Sequence, residues 1–517
     1  MAYAQLDSGS GERMRAHVKF LASDLLEGRG VATRGEQLTT EYIATQFALI
    51  GAKPAGDDGT YFQTVPLVGV ATEPGSNISA VVKGETIPLK WLDEFVGSNP
   101  RQTLDQPIDA ELVYVGHGIS APEYSWDDFK GVDVKGKILL QFTNEPDSQD
   151  PKFFGGRALT YYGRWTYKYE EAARRGALGS IIIHTDSTAG YGWQVVRSSW
   201  GREQSFVKAN PGSNQLAVAG WITSAAAEKI LAGTGHTVDE LLSLANRRDF
   251  RPMPLGIRIK GRMISKVRDE RTRNVVAKIP GSDPRLASEA VIFSAHWDHL
   301  GIGEAVNGDN IYNGAVDNAT GVAMLIEMAR AWASLPEKPR RTAIFAAVTA
   351  EEEGLFGSEY YAQHPAVPAG KTALGLNFDA FSPYGRTRDA IVNGAERTTF
   401  WPAVQRIAKR FNLELKQDPA PEQGSYYRSD HFSFAKAGIP AFSVHGGGDY
   451  VKGKPPAGKS TYHQPTDEYH DDWDFSGMEQ MASFGVALGI EAANIDKLPT
   501  WQRGDQFLKV REKSMGK

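Results

Sequence analysis

The chain has 517 residues, with 57 Lys+Arg against 62 Asp+Glu, a formal charge of −5, 41 % hydrophobic residues and no Cys. At about 150 residues per domain this length predicts two to four domains, and the hydrophobic fraction suffices for large cores. The missing Cys excludes disulfides, thiol nucleophiles, Cys-ligated zinc and iron–sulfur clusters. The mild acidity argues against nucleic acid as the main partner, and no apolar run approaches the roughly 18 residues that a membrane span requires.

Ala2 and Ala4 form the small-x-small pattern that stands left of a signal-peptidase cut. It points to a secreted or periplasmic protein whose signal has been removed, with a cytoplasmic location still open. Met14, Val18, Leu21 and Leu25 share one helical face and Gly28 follows, so a helix is expected over 13–27, and a second over 36–50. Residues 51–105 read as loops and short strands. Strands are expected at 111–115, 137–142 and 180–184, with a helix at 169–176 between the last two. This pattern predicts a small β-rich unit over 106–260, set between an N-terminal part (1–105) and a main part (261–517) of a catalytic domain.

From about residue 273 the pattern is α/β. Residues 290–295, 342–349, 374–378 and 439–444 are continuous apolar runs of the buried parallel-strand type. Residues 318–333, and the series Met481, Phe484 and Leu488, read as helices. Strands alternating with helices predict a sheet covered on both faces.

These strands end in polar residues: His296, Trp297 and Asp298 after the first, Glu351, Glu352 and Glu353 after the second, Asp379 after the third. Asp317 opens the helix that follows the first strand, and His463 stands near Asp467 further on. Taken singly, Asp317 is a helix cap and the glutamates are a helix start or a solvated face. Open α/β sheets place ligand sites beyond the carboxyl ends of their strands, so the five endings together predict one rim. Imidazole and carboxylate without thiolate suit zinc and its neighbours, and two ions about 3.5–4 Å apart need a bridging carboxylate.

His296-Trp297-Asp298-His299-Leu300-Gly301, the run Gly314–Gly321, Glu351–Ser358, Asn377–Asp379, Arg428–His431 and Tyr462-His463 resemble, in this order, the aminopeptidase-type members of the M28 family of zinc metallopeptidases. Residues 110–184 are similar to the protease-associated domain inserted in such enzymes. The resemblance implies a three-layer αβα zinc-peptidase fold with a mixed, mostly parallel sheet and two co-catalytic Zn2+. By position, His296 and Asp379 would hold one zinc, Glu352 and His463 the other, with Asp317 bridging. Glu351 matches the general base, Asp298 the carboxylate that orients the ligand His, and Tyr462 a donor to the tetrahedral oxyanion. The expected function is a di-zinc exopeptidase that acts on N-terminal bonds of peptides or small amides.

The alternatives are a carboxypeptidase or dipeptidase, with Arg386, Arg388 and Arg428 as carboxylate donors, a glutaminyl-cyclase-like enzyme, and a catalytically dead binding protein. Residues 301–313 look like an inserted loop, and Trp297 is expected to pack beneath the site. Gly453–Ser460 matches the P-loop pattern, but Pro465 and two internal Pro argue against nucleotide binding. His445 is expected to line the pocket. Asp471, Asp472 and Asp474 form an acidic cluster for which calcium stays unknown, with a solvated turn favoured. Oligomeric state is not legible.

Overall fold

The computed structural model describes residues 7, 9–150, 152–209, 215–453 and 460–516. The export signal expected at Ala2 and Ala4, and most of the P-loop-like segment, lie outside them. The chain forms two units, one of residues 1–65, 271–419 and 428–517, the other of 66–270 and 420–427.

The first unit holds a mixed, mostly parallel sheet. Its strands are the second half of β1 (Met253–Ile279), β2 (Ala290–His296), β3 (Thr342–Val348), β4 (Thr372–Asn377), β5 (Asp389–Asn393), β6 (Glu414–Lys416) and β7 (Ala441–Gly446). The spatial order is β1-β3-β2-β4-β7-β5-β6. The pairs β3/β2, β2/β4, β4/β7 and β5/β6 are parallel, while β1/β3 and β7/β5 are antiparallel. β2, β3 and β4 are buried along their whole length. That burial is why their sequences are unbroken apolar runs rather than alternating ones.

Helices cover both faces. On one side lie α1 (Ser10–Leu21), α2 (Arg34–Ile50), α3 (Thr320–Ala333) and α6 (Ser476–Asn494), whose apolar residues share a core with Val291, Phe293 and Phe345. On the other lie α4 (Phe356–Gln363) and α5 (His431–Lys436), which set Tyr361 and Phe434 against Ile292 and Ile344. α3 is buried nearly all round, as expected of a helix that is apolar on every side. The three-layer arrangement expected from the sequence is present. No helix among the described residues is long and apolar enough to cross a membrane.

The second unit is β-rich. Strands at Asp105–Tyr114, Ile138–Phe142, Gly179–His184 and Val218–Thr223 pair in parallel in that order. Asn77–Val82 and Asp105–Tyr114 pair antiparallel with the first half of β1, and Phe95–Ser98 pairs with Val218–Thr223. The unit therefore begins at Pro66, earlier than the expected boundary at 105/106, because the strands of 66–105 find their partners inside it. Residues 301–313, expected as a loop, form a hairpin of Gly301–Val306 and Asp309–Tyr312.

One ionic cluster ties the N-terminal helix to the sheet-covering layer. The Glu327 carboxylate on α3 is fully buried and meets Arg13 at 2.6 Å, Arg330 at 2.9 Å and His17 at 3.5 Å. Burial raises its pKa, but these partners outweigh burial and bring it down to about 2. The folded value lies below the unfolded one, so the stabilisation is complete above about pH 4.5 and is lost as pH falls through about 2. The shift corresponds to about 3 kcal/mol. Glu327→Gln is expected to lower the thermal midpoint at pH 7, and the difference from wild type should shrink steadily between pH 5 and pH 2 in a calorimetric series.

Candidate metal centre

Because β2, β3 and β4 are parallel neighbours, their carboxyl ends deliver side chains to one rim. His296 is the last residue of β2. Glu351 and Glu352 follow β3 in a turn, and α4 starts only at Phe356, so the acidic pair is not a helix N-terminus. Asp379 follows β4. A hydrogen-bond chain fixes it: Ser294 Oγ donates to Asn377 Oδ1, Asn377 Nδ2 to Ser429 Oγ, and Ser429 Oγ to Asp379 Oδ2 at 2.6 Å.

Asp317 sits in a wide turn, Ala315–Ala319, ahead of α3. The carboxylate of Asp467 accepts the backbone N–H of Val316 and of Asp317, both at 3.0 Å, and its carbonyl accepts that of Ala315. Asn318 donates to the Phe378 carbonyl at 3.1 Å and accepts from Gly321 and Ala380. The turn is thus pinned from both sides.

The ligand-type atoms converge on Asp317. Its Oδ1 lies 3.2 Å from His296 Nε2, and its Oδ2 lies 3.7 Å from His463 Nε2. His296 Nε2 is also 3.1 Å from Asp379 Oδ1, and His463 Nε2 is 2.9 Å from Glu352 Oε2. Ligands at 2.0–2.1 Å from a tetrahedral zinc stand about 3.3 Å apart, and these separations bracket that value. Among the described residues, His296, Asp317 and Glu352 form one group able to hold a cation, and His296, Glu351 and Asp379 another. Nitrogen and carboxylate donors at this spacing fit zinc-type ions.

Asp298 departs from its expected role. Its carboxylate lies 3.9 Å from His296 Nδ1, and the ring instead hydrogen-bonds the Asp298 backbone carbonyl at 3.1 Å. A carbonyl only accepts, so Nδ1 carries a proton, and Nε2 is the ring nitrogen that faces Asp317 and Asp379. The Asp298 carboxylate is occupied elsewhere, accepting the backbone N–H of Glu351 at 3.2 Å and of Glu352 at 3.3 Å. Trp297 is fully buried and donates to the Arg273 carbonyl, beneath the site as expected.

The charges are strongly perturbed. Burial opposes charge on His296, but Asp379, Glu351 and Asp317 raise it well above the ordinary histidine value. Burial is likewise overcome at Glu352, which His463 and His299 hold well below the carboxylate range. Glu351 is pushed well above that range by burial and by Glu352, Asp379 and Asp430, against the pull of His296. Cations bound here would displace the imidazole protons and pull the carboxylates down.

At the rim, the half-exposed Tyr462 ring stacks on His463 with centroids 3.9 Å apart, and Arg428 Nη2 donates to Tyr462 Oη at 3.0 Å. His445 stacks on Phe381, two residues beyond Asp379. Asp471 and Asp474 do not join the centre; they pair with Lys19 and Lys452.

Sequence reasoning assigned no role to His299, Asp467 or Arg29. His299 is buried, with Nδ1 2.6 Å from Glu352 Oε1, which leaves Oε2 toward His463. Its place in the run that starts at His296 was a usable signal. Asp467 and Arg29 act on backbone groups, which leaves no trace in ligand spacing.

Residues 274–485 match the pattern of Peptidase family M28. This part of the chain belongs to peptidase family M28. It includes every side chain of the centre named above except Arg29. Leupeptin-inactivating enzyme 1 of Streptomyces exfoliatus is 29 % identical over 185 residues, 35 % of this chain and 37 % of that protein. A glutamate carboxypeptidase 2 homolog of Caenorhabditis elegans is 24 % identical over 375 residues, 66 % of this chain and 46 % of that protein. The chain thus spans less than half the length of either relative. The structure of an aminopeptidase from Aneurinibacillus sp. strain AM-1 superposes with a TM-score of 0.56 at 20 % identity, covering 97 % of each chain, which shows a shared fold.

Asp317→Ala is expected to remove the carboxylate common to both halves, and elemental analysis after dialysis should find at least tenfold less zinc than in wild type. Asp467→Asn, which keeps one acceptor oxygen for two N–H groups, should weaken zinc binding about 10–100-fold in titration calorimetry with the fold intact by circular dichroism.

Proposed function

We propose that this chain is a di-zinc exopeptidase that removes N-terminal residues from peptides or small amides. The observation that carries the reading is the Asp317 carboxylate, which turns one oxygen to the His296 side and the other to the His463 side. His296 and Asp379 would hold one ion, His463 and Glu352 the other, and Asp317 both. The pair would act as Lewis acid and lower the pKa of a water toward about 7.

The residues do the rest. Glu351 removes the proton of the attacking water and returns it to the leaving amine, the ordinary work of a positioned carboxylate. The Asp298 carboxylate holds the backbone of Glu351 and Glu352 together, so that adjacent residues serve two roles, one as ligand and one as base. Tyr462 donates to the tetrahedral oxyanion. Because Arg428 already donates to the phenol oxygen, the phenol proton is left for that purpose. The β-rich second unit is proposed to be the protease-associated domain, in a structural or access-shaping role, and the protein is proposed to work outside the cytoplasm.

A second reading, a carboxypeptidase, draws on the Arg428 guanidinium beside Tyr462, a cation at the rim that would suit a substrate carboxylate.

Glu351→Gln should keep its zinc and lose about 10²–10⁴-fold in kcat with little change in KM; retained turnover would remove Glu351 from the base role. A panel of free-amine, N-acetylated and C-amidated peptides separates the two readings. Cleavage that is abolished by acetylation, insensitive to amidation and stopped by chelator is expected, and a requirement for a free carboxylate would instead establish the carboxypeptidase.

A further inference from the structure

Arg29 is buried, 1 % exposed, and its guanidinium touches no carboxylate. Its nitrogens donate only to backbone carbonyls. Nε reaches Trp297 at 2.7 Å, Nη1 reaches Leu21 and Asn313, both at 2.6 Å, and Nη2 reaches Gly314 at 2.9 Å. Four of its five N–H donors are thereby used. Taking a charge out of water is costly, and a buried cation that pairs with no single acid needs an electrostatic reason to be there.

The carbonyls it joins supply one. Trp297 lies between His296 and Asp298. Asn313 and Gly314 lead into the turn that carries Asp317. The guanidinium therefore ties the segment behind one ligand-type histidine to the segment behind the shared carboxylate, and to the end of α1. Neighbouring contacts tighten the same joint. Asn313 Nδ2 donates to Asp24 at 2.8 Å, and the His299 N–H approaches the Arg29 carbonyl. At Gly28, whose φ is +65°, a Cβ would stand 2.5 Å from the Tyr312 carbonyl oxygen and 2.6 Å from that of Gly301, so only glycine lets the chain come this close. Burial lowers the guanidinium pKa to about 10, and Asp467, Asp298, Asp317 and Glu352 work the other way, so it stays charged at neutral pH and adds positive potential under an acidic centre.

We propose that Arg29 is a positioning residue for the metal centre: by bridging the backbone of 297 and 313–314, its guanidinium sets the spacing of His296 and Asp317 and so the affinity of the centre for zinc. The inference rests on the metal-centre reading above. A Lys at this position keeps the charge but offers one nitrogen, which cannot span these carbonyls.

The test measures thermal midpoints of metal-stripped wild type and Arg29→Lys with and without added zinc ions, together with the chelator concentration that removes half the bound zinc. A ligand that binds only the folded state raises the midpoint by an amount that grows with the logarithm of its concentration over its dissociation constant, so a purely structural Arg29 would lower the stripped and zinc-loaded midpoints together and leave their difference unchanged. The expected result is a smaller zinc-induced rise and a chelator midpoint at least tenfold lower for the variant, in line with changes around metal ligands elsewhere. An unchanged rise and chelator midpoint would overturn the proposal. Should the variant fail to fold, hydrogen exchange on wild type decides: zinc is expected to slow exchange at 28–30 as well as at 297–299 and 313–317, and protection that leaves out 28–30 would overturn it. A wild-type chain with no zinc-induced rise would overturn the metal centre itself, and this inference with it.

Discussion

The shared carboxylate of Asp317 is the constraint on which the rest of the site depends. A carboxylate can face two partners only if its plane is fixed, and a side chain with two torsions does not fix itself. The structure meets that demand through the backbone. Asp467 takes the N–H groups of Val316 and Asp317, Asn318 anchors the turn to the end of β4, and buried α3 gives the turn a rigid floor. The parallel pairing of β2, β3 and β4 then brings the remaining side chains to the same rim.

The price of the arrangement is electrostatic. Asp298, Asp317, Glu351, Glu352, Asp379, Asp430 and Asp467 crowd one buried region. Burial together with like charge pushes Asp298 and Asp430 up to about 7. Such a cluster is tolerable only with compensating cations. The histidines, Arg29 and zinc-type ions are the compensation this chemistry calls for. The second unit solves a smaller version of the same problem. Its buried Lys168 donates to the Asn144 carbonyl and is drawn on by Asp128 and Glu145, both held high by burial.

Much of this was legible in the amino-acid sequence, and the reasons are specific. β2, β3 and β4 announced themselves as unbroken apolar runs, and a polar residue at the end of such a run has few places to go but the rim. α3 is equally plain as a long stretch of good helix formers, Ala, Met and Leu among them. Other features were hidden. The hairpin at 301–312 reads as a loop despite the turn signal of Asn307-Gly308, because its flanking strands are short and half polar. The strands of 66–105 are weak in the sequence since their partners lie far along the chain. The family resemblance pairs the Asp298 carboxylate with His296, and no motif shows that the nearer backbone carbonyl takes that bond. Arg29, lodged in a Gly-flanked turn after a helix, carried no mark of its importance, since everything it touches is main chain.

The pieces of this centre are dispersed along the chain. The brace stands at Arg29, the last ligand-type residue at His463, and α6, which packs behind the sheet, begins only at Ser476. Contacts between residues so far apart in sequence form only after long stretches of chain have been ordered. Assembly of the centre is therefore a late event of folding, tied to the completed packing of the whole first unit.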